Sequence, residues 1–100
     1  MRILACDLSA LDHAQRARHS ALRAELRERR LDAREVADGY EFSYPVEPEM
    51  IVKLAEFVTL ERRCCPFFDF ALDIGAGAAE IRLTIGGDSD VKAFLKGQQG

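Results

Sequence analysis

The chain has 100 residues and a mass of 11.2 kDa, with 48% hydrophobic residues, 31% charged residues and a net charge of −3. A chain of this size buries about 65% of the surface it exposes when unfolded, which supports one hydrophobic core and no second domain. The composition excludes disordered and fibrous classes, the apolar runs are too short for a membrane span, and a pI of 5.4 argues against a dedicated nucleic-acid binder.

No basic-then-apolar signal segment opens the chain, so a cytoplasmic protein is expected. Met1-Arg2-Ile3-Leu4-Ala5-Cys6 is short and apolar and suits a first strand. Ser9 then caps a helix with Asp12 at the acidic position three residues on. From Ala10 to about Arg30 the chain holds no Gly or Pro, and the strong helix formers Ala, Leu and Arg dominate. Leu11, Ala14, Ala17, Ala21, Leu22 and Leu26 form its apolar stripe.

Asp38-Gly39 between two extended runs predicts a hairpin, with a type I′ turn whose central residues need positive φ. Tyr40, Phe42 and Tyr44 share one face of the second arm. Pro48 and Glu49 suit the start of a second helix, which Pro66 stops. Phe68, Phe70, Leu72 and Ile74 alternate with polar residues or alanine, as do Ile81, Leu83 and Ile85, giving a second hairpin across the loop at 75–79. A short last helix carries Val91, Phe94 and Leu95. The order βαββαββα predicts an α+β domain: a mostly antiparallel sheet with helices on one face, nearest to a ferredoxin-like fold.

On a helical wheel Met50, Leu54, Phe57 and Val58 define the apolar face of the second helix, and Glu61 projects near its middle. Cys64 and Cys65 follow three and four residues later, so one carboxylate and two thiols meet at a helix end. The third cysteine, Cys6, joins them if the first strand passes that end. An odd count leaves no complete disulfide framework, neighbouring cysteines bridge only through a strained ring, and cytosolic thiols are kept reduced.

The run Glu61-Arg62-Arg63-Cys64-Cys65-Pro66-Phe67-Phe68-Asp69-Phe70 resembles the signature of a family of small bacterial proteins. Ile3-Leu4-Ala5-Cys6-Asp7-Leu8-Ser9, the Arg-rich helix, Asp38-Gly39-Tyr40 and Ile85-Gly86-Gly87 extend the resemblance over nearly the whole chain. It implies a shared fold and carries no assigned activity.

Two functions fit these residues. In the first, Cys64 and Cys65 are inert packing groups, Glu61 pairs with an arginine of the first helix such as Arg18, and the protein is a non-catalytic interaction or dimerisation domain. In the alternative, Glu61, Cys64, Cys65 and Cys6 hold a soft ion such as zinc or copper(I) in a metal or thiol-based sensor or carrier. Chelation by both neighbouring thiols then requires the helix to unwind at Cys65. Nucleophilic catalysis is disfavoured, because a helix C-terminus raises thiol pKa and no Cys-x-x-Cys motif is present. His13 and His19 are six apart and read as separate, exposed side chains. Residues 12–34 hold seven arginines against four acids, with Glu25-Arg29 at pairing distance along a solvated face. Tyr40, Phe42, Tyr44 and Phe67 exceed the expected cover of one small core, which predicts a homodimer.

Overall fold

The computed structural model describes residues 4–98. The elements are helix α1 (His13–Arg29), strands β1 (Asp32–Val36) and β2 (Gly39–Pro45), helix α2 (Pro48–Cys64), strands β3 (Asp69–Asp73) and β4 (Glu80–Gly86), and helix α3 (Ser89–Gln98). The four strands form one antiparallel sheet in the order β1-β2-β4-β3. The expected α+β class and antiparallel sheet are therefore present.

No first strand is found among the described residues. Residues 1–3 lie outside the described residues, and residues 4–7 have no regular secondary structure and no sheet partner. Instead of pairing with a strand, this segment is fixed to the end of α2, where the Asp7 N–H donates to the Cys64 carbonyl at 2.8 Å. One split crossover remains, since β2 and β3 run parallel with β4 between them and α2 joining them. The second such unit of a ferredoxin-like sheet would need a strand before α1, and none is found among the described residues.

Two caps, not one, start the first helical region. Asp7 accepts from the Ser9 N–H and closes a 3-10 turn at Leu8–Ala10. Asp12 then caps α1 in a reciprocal box with Gln15, each side chain accepting the other's backbone N–H. Asp12 is thus the cap itself. The stripe that α1 buries is also shifted: His19, Leu22 and Leu26 are buried, whereas Ala14, Ala17 and Ala21 are exposed.

On the sheet, alternation places Tyr40, Phe42 and Tyr44 of β2 beside Ile81, Leu83 and Ile85 of β4 in one core with Leu22, Leu54, Phe57 and Leu95. The opposite face carries Arg34, Glu41 and Arg82, with the Arg34 guanidinium donating to Glu41 at 2.8 Å. The helices therefore cover one face only. The three rings of β2 are buried, and Phe67 packs edge-to-face on Phe68 and Phe94. Tyr40, Phe42 and Tyr44 are buried within one chain and Phe67 is half-buried, so these rings give the homodimer expectation no direct support. Charges along both edge strands (Asp32, Arg34 and Glu35 on β1; Asp69 and Asp73 on β3) disfavour pairing with another edge.

The first hairpin turns through Ala37 and Asp38, with Val36 opposite Gly39, so Gly39 opens the strand rather than completing the turn. Among the described residues only Gly77, in the β3–β4 turn, has positive φ, so the expected type I′ geometry does not form. Gly39 is required for another reason. A Cβ there would collide with the Ile85 carbonyl oxygen and stand 2.6 Å from the Gly86 Cα, both backbone atoms at the end of the paired strand β4. Gly39→Ala is expected to lower stability by about 1–3 kcal/mol, the usual cost of overpacking, as measured by urea unfolding. An unchanged midpoint would show that the strands can separate at this point.

Candidate functional site

The site is built where α2 ends. Pro48 and Glu49 start that helix, and at the other end Pro66 cannot continue the hydrogen-bond ladder. Cys65 leaves helical geometry (φ −124°, ψ 70°) while its N–H still donates to the Glu61 carbonyl at 2.8 Å. This is the unwinding that two neighbouring thiols need in order to converge, and it is already present. The Asp7–Cys64 backbone bond brings the N-terminal segment alongside, and Cys6 forms a disulfide with Cys65, 59 residues away in sequence. The expectation of three reduced thiols is corrected accordingly: one distant pair closes, and Cys64 remains as a free, buried thiol.

Glu61 stands at the centre of the group and is itself buried. Its Oε1 lies 3.1 Å from Cys65 Sγ, 3.8 Å from Cys64 Sγ and 3.5 Å from His19 Nε2, while the two neighbouring sulfurs are 3.8 Å apart. With the disulfide closed, Cys65 carries no proton, so the 3.1 Å contact is a hydrogen bond only if the Glu61 carboxyl donates. After reduction the Cys65 thiol can donate in turn. Burial pushes the Cys64 thiol above its ordinary pKa, and the charge and hydrogen bond of Glu61 add to the rise. Cys64 is therefore protonated at neutral pH and a poor nucleophile.

The four expected site residues are brought together, and a fifth joins them. Cys6, Glu61 and Cys65 offer ligand atoms within 4.8 Å of one another, as do His19, Glu61 and Cys64, with Glu61 shared between the two groups. His19 is not exposed: it is 5% accessible and stacks on Phe57 with centroids 5.5 Å apart and planes 10° from parallel. Its Nε2 has no hydrogen-bond partner. The signal for it was its spacing of three and seven residues from Leu22 and Leu26, which places it on the buried stripe. Arg18 does not pair with Glu61 but forms a two-pronged bond to Glu56 at 2.8 and 2.9 Å. Nor do Glu25 and Arg29 pair with each other; Glu25 takes Lys53 and Arg29 takes Glu47. These three pairs bridge α1 to α2 or to its cap, and so hold His19 against Phe57 and Glu61.

Comparisons with protein-family models, with curated proteins and with solved structures give no match for this chain.

Closing a loop of this length is worth about 4 kcal/mol in the chain-entropy account of disulfides, and measured values for native bridges centre on about 2–4 kcal/mol. Reduction, or Cys6→Ser, is expected to lower unfolding free energy by that amount in a denaturant titration. In the oxidised protein, a thiol reagent should label one cysteine per chain, and only after unfolding. Rapid labelling of the native protein would mean that Cys64 is not packed as described.

Proposed function

We propose that the protein is a thiol-based sensor or carrier for a soft metal ion, with the Cys6–Cys65 disulfide as its closed, oxidised form. The observation that carries this reading is a pair of adjoining ligand groups, Cys6, Glu61 and Cys65 on one side and His19, Glu61 and Cys64 on the other, with Glu61 common to both. Opening the site needs two electrons. A cellular dithiol supplies them: its sulfurs join to each other, and its two protons pass to Cys6 and Cys65. A reducing compartment such as the cytoplasm favours that direction.

The reduced centre then offers sulfur and nitrogen donors suited to zinc or copper(I). Each thiol that ligates must lose its proton, so affinity rises with pH. The raised pKa that burial gives Cys64 makes its proton hard to displace. Glu61 can accept that proton or ligate the ion directly. The Cys6–Cys65 bond and metal binding exclude one another, because a disulfide sulfur has no thiolate to offer. Oxidation would therefore release the ion.

The test is a competition titration of the fully reduced protein with Cu⁺ and Zn²⁺ against a chromophoric chelator. One ion per chain is expected in the reduced form and none in the oxidised form. Loss of an outer-sphere partner alone weakens metal sites by about 10–100-fold, so Cys64→Ala or Glu61→Gln should weaken binding by roughly tenfold or more. A reduced protein that retains no metal, with thiols inert until it unfolds, would overturn this reading. The interaction domain would then remain, to be tested as a homodimer by light scattering.

A further inference from the structure

The helix-covered face of the sheet is not closed everywhere. A cleft of about 690 Å³ opens there, between residues of α1 and α3. Its size suits one small organic molecule, for which pockets run about 300–1,000 Å³. Phe42, Leu83 and Ile85 supply an apolar floor from the sheet, and Phe94 an apolar wall from α3.

The α1 side is different in kind. Arg23 and Arg27 line it one turn apart on the helix, and Arg30, the extended residue that caps the helix end, follows them. Arg18 and Arg29, by contrast, are neutralised by Glu56 and Glu47. None of the three cleft arginines has a carboxylate partner among the described residues. Arg30 lies over the Phe42 ring at 5.3 Å, which joins the charged side to the apolar floor. The sole acidic lining residue, Glu61, is buried and lies 3.5 Å from Nε2 of His19, an atom with no hydrogen-bond partner. Tyr44 also lines the cleft and keeps its proton, since burial pushes its pKa up to about 12.

We propose that this cleft binds an organic anion with an apolar body, the charged group on the arginines and the body against the sheet. Three unpaired guanidiniums beside an apolar floor match that chemistry and no neutral or cationic ligand. The inference goes beyond metal binding and does not depend on it.

A matched pair of fluorescent probes tests it on the disulfide-closed, metal-free chain. 8-Anilinonaphthalene-1-sulfonate carries the anion, and N-phenyl-1-naphthylamine has the same aromatic body without it. The sulfonate should bind saturably at one site per chain, and the neutral probe weaker by roughly tenfold or more, the effect of one lost charge-assisted hydrogen bond. Arg23→Gln with Arg27→Gln should reduce sulfonate affinity by a similar factor. The melting temperature should hold, since neither side chain is buried or paired. Equal affinity for the two probes, binding at many sites, or indifference to the double substitution would overturn the proposal. The metal titration is read on the reduced chain, so either proposal can fail alone.

Discussion

A covalent bond between Cys6 and Cys65, reinforced by the Asp7 N–H on the Cys64 carbonyl, ties an otherwise unstructured segment to the end of α2. Much else at the site follows from this tie. It carries Cys6 to within ligand distance of Glu61, and it holds Cys65 outside the helix so that its sulfur faces the same way as Cys64. It also explains how residues 4–7 keep a fixed place without pairing to the sheet.

Glu61 is the second constraint. A carboxylate buried among two sulfurs and an imidazole pairs with no arginine among the described residues, and Arg18 is committed to Glu56. Burying a carboxyl in this way is costly unless it shares protons or binds a cation. The geometry offers both: one oxygen is within reach of Cys64, Cys65 and His19, and the ligand groups on either side share it. The ion pairs between α1 and α2 set the position of His19 rather than contributing much stability, since exposed pairs of this kind are worth little individually.

Much of this fold was legible because it is local. The β4 alternation of Ile81, Leu83 and Ile85 against polar neighbours gave both its face and its bounds, and Pro66 marked the end of α2. What escaped was decided at long range or by competition between neighbouring signals. Leu4-Ala5-Cys6 is as apolar as an edge strand, and only its partner 59 residues away determines that it is a tether. Ser9 and Asp12 offered two caps in tandem, and the second won the helix. The alanines of α1 form a second small-residue stripe beside the one it buries, which masks the place of His19 on the buried side. At the site, the grouping of Glu61, Cys64 and Cys65 followed from i, i+3 and i+4 spacing. The disulfide did not, because pairing depends on the path of a segment with no periodicity of its own.

The central claim is the pairing of Cys6 with Cys65 and not with Cys64. It is tested most directly by alkylating the unfolded, unreduced protein, digesting it with trypsin and fragmenting the cross-linked peptide. Cleavage at arginine releases residues 3–16 and 64–82. The account predicts that these two peptides remain joined through Cys65, with the alkyl label on Cys64. A bridge between Cys64 and Cys65, or a label on all three cysteines, would contradict it.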